Sequence, residues 1–478
     1  HFNAKLFGPA LYDAFRQIKR AFDPNNLFNP GKIVDAPAMT ESLKISPQYK
    51  TWEPRTTLDF SEQGGFARAV EMCSGMGECR KKLDGTMCPS YMATLDEEHS
   101  TRGRANALRN VIAGLVPREE FTGKRLYDVM DLCLECKACK AECPSNVDMA
   151  KLKYEFLDHY HRANGLPLRN RMFGAIESLN RIGSALAPIS NWVANSAPNR
   201  WLMEIFTGID RRRPLPQFAI ETFEDWFAKH KVEGDGANGD VVLFHDTFNN
   251  YNTPNVAIGA TRFLEESGYS VLLVDKKCCG RPMISKGMLS QAKENAAWNV
   301  EKLAPFAEKG TPIVGLEPSC LLTLRDEYPE FIRTNAVKKV AANSFLLEEF
   351  VMREVNAGKL KFTANSNGKK VLLHGHCHQK ALVGSAPTVA MLKAAGYEVS
   401  EVDSGCCGMA GSFGFEKEHY DLSLTIGNRR LGPAVKAAGA AVEIVAPGIS
   451  CRQQIAHLAA RKAKHPAELL WEGVSDAG

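Results

Sequence analysis

The sequence predicts an α+β multidomain protein: a helical, cysteine-bearing domain followed by two copies of one α/β unit. Three observations carry this prediction. Cys133-Leu-Glu-Cys136-Lys-Ala-Cys139-Lys-Ala-Glu-Cys143-Pro144 sets four thiols at x2, x2, x3 spacing ahead of a proline. Val242-Leu-Phe-His-Asp-Thr-Phe248 returns as Val371-Leu-Leu-His-Gly-His-Cys377. Gly268-Tyr-Ser-Val-Leu-Leu-Val-Asp275 returns as Gly396-Tyr-Glu-Val-Ser-Glu-Val-Asp403, and both copies run on into Cys-Cys-Gly, at 278–280 and 406–408. A strand, a helix and a strand in each copy build a parallel βαβ core, and self-similarity on this scale marks duplicated units.

The bulk numbers fit that plan. A chain of 478 residues suggests about three domains. With 44% hydrophobic and 24% charged residues it has an ordinary globular composition. The net charge of +4, with no basic run interleaved with aromatics, argues against a nucleic-acid partner. No apolar run approaches the ~18 residues that span a bilayer; peripheral contact needs only a surface patch and stays open. The fourteen cysteines cluster as metal sites do, which points to a reducing compartment. A cytoplasmic protein, or one peripheral at the inner face of the plasma membrane, is expected. His1-Phe-Asn-Ala-Lys5 has neither the basic start nor the apolar core of a signal peptide, and the chain is expected to begin inside a domain.

In chain order, Leu11, Phe15, Ile18 and Phe22 fall at helical spacing over 8–23. Asp23-Pro24-Asn25-Asn26 stops that helix, and Asn29-Pro30-Gly31-Lys32-Ile33 makes a turn with an extended exit. One helix and one turn cannot bury a core alone, so 1–35 reads as the tail of a larger domain. Residues 36–64 are polar and Pro-containing, a linker. Residues 65–160 hold seven cysteines among short helices, with Ser100 or Thr101 as N-cap of a helix running to Val111. Residues 161–239 form a helical connector broken by Pro188, Pro198, Pro214 and Pro216, closing on the Gly-rich stretch 233–239. The two α/β units occupy 240–365 and 366–478. Each copy ends in a further apolar strand and a turn bearing one cysteine, Cys320 or Cys451.

The 133–143 run is the cysteine spacing of bacterial-type iron–sulfur proteins, whose fourth cysteine usually ligates the other cluster of a two-cluster protein. The domain therefore reads as two-cluster-ferredoxin-like. Upstream, Cys73-x5-Cys79-x8-Cys88-Pro89 resembles a second such run, altered: Met76 stands where a cysteine would, and Cys88 is delayed by an insertion. Two cubanes need eight thiolates and the region offers seven. One [4Fe-4S] cluster is assigned to Cys88, Cys133, Cys136 and Cys139 by the swap rule. Cys73, Cys79 and Cys143 could hold a three-iron cluster or a cubane completed by another ligand, or remain buried thiols. A Met thioether is too weak an iron ligand to invoke.

The second unit brings Cys377, Cys406, Cys407 and Cys451 to predicted strand ends, where one crevice could gather them as a cluster or a redox dithiol. The first unit has Cys278, Cys279 and Cys320, with Phe248 at the Cys377 position, and packing cysteines suit it better. On a strand, His374, His376 and His378 would share one face. That suggests a metal or a proton relay, weighed against strand-end histidines satisfied by the backbone. Arg102 and Arg104 could sit near a cluster or an anionic partner group, and read by default as a solvated, capped helix start. No P-loop, G-x-G-x-x-G or Ser-His-Asp pattern assigns a catalytic residue.

With these residues laid out, Cys278-Cys-Gly280, Cys406-Cys-Gly408 and the steps at Cys320 and Cys451 resemble the duplicated cysteine-rich CCG domains of heterodisulfide reductase subunits and of iron–sulfur parts of glycolate oxidase. Phe7-Gly-Pro-Ala-Leu-Tyr12 through Ile33 is similar to the end of the FAD-linked oxidase C-terminal domain. Gly85-Thr-Met-Cys-Pro-Ser-Tyr91 with Ser100-Thr-Arg-Gly-Arg104 resembles the fused FAD/iron–sulfur dehydrogenases of D-2-hydroxyacids, such as D-lactate and D-2-hydroxyglutarate. The resemblance implies the iron–sulfur half of such an enzyme, with FAD on an upstream domain as partner. It implies electron transfer to a quinone or carrier acceptor, and an oligomer. An alternative is a heterodisulfide or thiol–disulfide reductase working at Cys406 and Cys407. Five cysteines per copy would favour that, and the sequence offers four and three. Glu317 and Gly448 stand where the Cys-x-x-Cys of heterodisulfide reductase subunits would close each copy.

Overall fold

The computed structural model describes residues 2–41, 49–362 and 368–475. The chain divides into two compact units, 1–51 and 52–478. In the first, helix Asn3–Phe22 is kinked at Gly8, whose φ of 76° breaks the helical path ahead of Pro9. Asp23 ends it, its carboxylate accepting the Leu27 and Phe28 N–H groups at 2.8 Å each. The apolar stripe stays open: Leu6, Leu11, Ile18 and Phe22 are all exposed.

The second unit contains both sheets. Strands β1 (Gly239–Phe244), β2 (Tyr269–Leu272), β3 (Ile313–Gly315) and β4 (Ser344–Leu346) form one in the order β2-β1-β3-β4. Strands β5 (Lys370–Leu373), β6 (Glu398–Glu401) and β7 (Glu443–Val445) form the other in the order β6-β5-β7. Every pairing is parallel. The first α/β copy thus gains a fourth strand, β4, that the duplication alone does not show. β1 is buried on both faces, as a central parallel strand should be. Val241 and Leu243 enter one core with Val371, Leu373 and Val445 of the other sheet. Val242 and Phe244 enter another, shared with the cysteine-bearing helices. One hydrophobic core therefore runs from Phe66, Phe121 and Phe156 through Cys136 and Cys139 to Cys279, Cys320 and Cys406.

Residues 52–60 belong to this core rather than to a free linker. Trp52 N–H donates to the Ile112 carbonyl at 2.9 Å, and Asp59 N–H to the Glu330 carbonyl at 3.0 Å. The buried Glu155 carboxylate accepts the Thr57 and Leu58 N–H groups at 2.8 and 3.0 Å.

Candidate metal centre

Helix Thr101–Ile112 sets one wall of the site. Ser100 caps it, its side chain accepting the Gly103 N–H at 2.9 Å. The first turn thereby aims the Arg102 N–H at Cys79 Sγ, 3.3 Å away, and carries Arg104 inward. Arg104 is 0% exposed, which corrects the default reading of a solvated helix start and leaves the other, a place beside the cysteines. Its Nε donates to the Val129 carbonyl at 3.0 Å and its Nη1 to the His99 carbonyl at 2.6 Å, with Cys88 Sγ 3.7 Å from Nη1. Nη2 is buried without a partner, and among the described residues no carboxylate pairs with this guanidinium. A lone buried cation costs several kcal/mol unless negative charge faces it. Thiolates on an iron–sulfur cluster would supply that charge, so the donor set fits such a group.

The cysteine run folds around the same point. Glu135 and Lys137 take left-handed conformations, φ 56° and 60°, and turn the chain into helix Ala138–Glu142. Cys88, Cys133, Cys136 and Cys139 then line one small cavity together with Arg104. Burial pushes the thiols of Cys133, Cys136 and Cys139 up. They remain protonated unless a metal takes the proton's place. Lys153 donates to the Asp131 and Cys133 carbonyls at 2.9 and 2.7 Å. Lys137 pairs with Asp326 and Glu327 of the first α/β copy. Nothing in the local sequence marked either lysine.

Cys73 and Cys79 are buried close together, and the Ser74 and Ser145 hydroxyls, 3.0 Å apart, tie their loop to the segment after Cys143. Met76, at the missing-cysteine position, is 68% exposed.

The second copy adjoins this centre. β5 ends at Leu373, so the three histidines do not share a strand face, which corrects that expectation. His376 instead caps helix Cys377–Leu382, its ring accepting the His378 N–H at 3.2 Å. His378 Nε2 donates to the Glu135 carbonyl inside the cysteine run at 2.9 Å; burial keeps its ring neutral. His374 Nδ1 lies 2.8 Å from the Ser404 hydroxyl. The His374 ring groups with Cys407 and Cys451, one ligand atom of each lying within 4.8 Å of the others. Cys377 and Cys451 open helices, not strand ends. Contact with Cys406 lowers Cys377 to about 7. Contacts with Cys406 and Cys451 pull Cys407 well down. Cys377 lies close enough to Cys136 to push its thiol up further, after burial.

The first copy gathers Cys278, Cys279 and Cys320 as well, but its thiols are held protonated. Although contact with Cys279 pulls Cys320 down, burial pushes it up to about 12. Glu317 accepts the Ile449 N–H of the second copy at 2.8 Å, and Gly448 lies against the His376 ring, leaving no room for a Cβ. Glu317 thus serves the contact between the two copies, and Gly448 the packing inside the second. Phe248, the aromatic substitute for a cysteine, lines a mostly apolar cavity of about 180 Å³ with Cys377, Cys406, Cys407, Leu134, Phe415 and Ile449.

Comparison with known proteins agrees with this arrangement. Residues 71–148 match the 4Fe-4S dicluster domain, 242–325 and 371–456 the cysteine-rich domain, and 1–33 the C-terminal domain of FAD linked oxidases. One component of the anaerobic glycerol-3-phosphate dehydrogenase of Escherichia coli (strain K12) is 30% identical over 311 residues, which is 64% of this chain and 78% of that protein. D-2-hydroxyglutarate dehydrogenase of the same organism is 26% identical over 525 residues, 98% of this chain and 50% of that protein. Its glycolate oxidase iron–sulfur subunit is 23% identical over 426 residues, 84% and 95% respectively. The chain spans about half the length of the D-2-hydroxyglutarate dehydrogenases it matches. It belongs to the family of iron–sulfur proteins with paired cysteine-rich domains that includes this component of anaerobic glycerol-3-phosphate dehydrogenase.

Proposed function

We propose that this chain is the electron-transfer portion of an FAD-dependent D-2-hydroxyacid dehydrogenase of the D-lactate or D-2-hydroxyglutarate type. Electrons leave a reduced flavin on a partner domain and reach a quinone or carrier acceptor. The carrying observation is adjacency: the Cys88/Cys133/Cys136/Cys139 cavity abuts Cys377, whose neighbours Cys406 and Cys407 wall the apolar cavity. A [4Fe-4S] cluster held by those four cysteines supplies one-electron chemistry, which a two-electron flavin needs to feed a relay. Arg104 and Lys153 stabilise negative charge there, while the buried walls exclude water. Cys73, Cys79 and Cys143 are offered as ligands of a second cluster. The apolar face of helix Asn3–Phe22 is offered as a docking element for the flavin-binding domain.

The test uses the enzyme with its FAD domain present. On D-2-hydroxyglutarate or D-lactate, Cys136→Ser should keep substrate-dependent flavin bleaching and lose reduction of a quinone analogue. Unchanged acceptor reduction in that variant would overturn the proposal. The lowered thiols of Cys377 and Cys407 also favour a second reading, thiol–disulfide chemistry. It predicts that Cys406→Ser with Cys407→Ser abolishes turnover of a disulfide substrate, and it fails if the parent protein reduces none.

A further inference from the structure

Beside the apolar cavity lies a second one of opposite character. It measures about 40 Å³, and Asp131, Lys153, Arg169, Lys286, Glu416 and His419 are among its walls. That is room for a water, with several polar partners to hold it. Leu134, Glu135, Ser285, Ala410 and Ser412 line both cavities, so the two share a wall. The histidines that face the apolar side directly are committed to the backbone. His376 accepts the His378 N–H, and His378 donates to the Glu135 carbonyl.

In the polar cavity, His419 is a group that holds and releases a proton near neutrality. It is buried and stacked flat on Phe413, ring centroids 4.1 Å apart. Its Nε2–H donates to Asp131 Oδ2 at 2.8 Å, and its Nδ1 lies 3.0 Å from Glu416 Oε2. Burial opposes the charged ring, but the hydrogen bonds to Asp131 and Glu416 outweigh it and raise the histidine above its ordinary 6.5. The cations stand one step back. Lys286 and Arg169 both reach Glu416, the second at 3.4 Å, and Tyr127 and Lys153 face the same cavity. Arg169 also donates to Glu418 at 3.0 Å, and the Glu418 side chain is 48% exposed. A line of charged groups thus runs from solvent at Glu418 to His419 and on to the shared wall.

We propose that the polar cavity supplies protons to an acceptor in the apolar one, with His419 holding the proton and Ser285 and Ser412 lying between. This rests on the reading above that electrons pass to a quinone. One quinone gains two electrons, singly, from the reduced cysteine-bound cluster and two protons by way of His419. Both its carbonyl oxygens become hydroxyls, and His419 regains each proton from solvent at the Glu418 end. The test reduces the full chain, removes excess reductant, and follows reoxidation on rapid mixing with ferricyanide or menadione. Ferricyanide takes an electron and no proton, whereas menadione takes two of each. Both should reoxidise the parent, and the menadione rate alone should fall as pH rises through the His419 pKa. His419→Gln should slow menadione about tenfold or more, flatten that pH dependence and regain rate with added imidazole, while ferricyanide reoxidises both proteins alike. Independently, NMR of histidine-labelled protein should show a resonance titrating above 6.5 that the variant lacks. Equal menadione rates in parent and variant, equal slowing with both acceptors, or a His419 that titrates below 6.5 would each overturn the proposal. A parent reoxidised by ferricyanide but not by menadione would overturn it by removing the quinone reading. A parent reoxidised by neither would remove the cluster on which both depend.

Discussion

Arg104 is where a single side chain says most about the centre. Its charge lies among carbonyls and Cys88, with no carboxylate opposite among the described residues. Arg104→Met keeps most of the volume and removes the charge. The potential of a cluster in this cavity should therefore fall, because the reduced, more negative form loses its stabilising cation. EPR-monitored redox titration checks this, and an unchanged midpoint would remove the electrostatic role. His465 offers a second test. Its Nε2–H donates to the Leu316 carbonyl at 3.0 Å and its Nδ1 accepts the Ala467 N–H at 3.0 Å, while burial lowers it to about 3. The unfolded chain takes up a proton from pH 6.5 downward and the folded chain does not until about 3. Stability should be complete above pH 6.5 and fall as pH drops through that window, by on the order of 5 kcal/mol at most. His465→Gln should flatten that acid limb in denaturant titrations. At this scale the cysteine run was legible because its spacing is local. The place of Arg104 was left between two readings, because Thr101-Arg102-Gly103-Arg104 has no apolar stripe to show which side turns inward.

At the scale of elements, the Cys-Cys-Gly turn depends on its glycine. Gly408 has φ +88°, its N–H donates to Cys406 Sγ at 3.4 Å, and a Cβ there would overlap the Ser423 carbonyl oxygen. Gly408→Ala should cost about 2–3 kcal/mol in chemical denaturation; a cost near zero would mean the turn is looser than described. Ser100→Ala removes the N-cap that aims Arg102 and Arg104 and should cost about 1 kcal/mol. The duplication was readable because both copies keep the same strand, glycine and cysteine spacing. The histidine face was not: β5 ends at Leu373, one residue before His374, and sequence patterns place strand ends poorly. Residues 52–60 looked like linker because their hydrogen-bond acceptors, Glu155 and the Ile112 and Glu330 carbonyls, are remote in sequence.

Over the whole molecule, one core joins the cysteine-bearing helices to both α/β copies, so the two kinds of cysteine site sit in one packed environment. The Glu135–His378 hydrogen bond and the Lys137 ion pairs hold them together. Such long-range packing could not be read from the sequence, which showed the parts and their order but not that Cys136 adjoins Cys377. The central claim is that Cys88, Cys133, Cys136 and Cys139 together hold a [4Fe-4S] cluster. The most direct measurement is iron and acid-labile sulfide analysis with EPR of the anaerobically purified, dithionite-reduced protein, compared with Cys88→Ser. The parent should give a cubane signal, with about four irons belonging to this site. The signal should be lost or altered in Cys88→Ser although that residue lies outside the 133–143 run. A parent with no cubane signal, or a Cys88→Ser protein with the parent's spectrum and iron content, would contradict it.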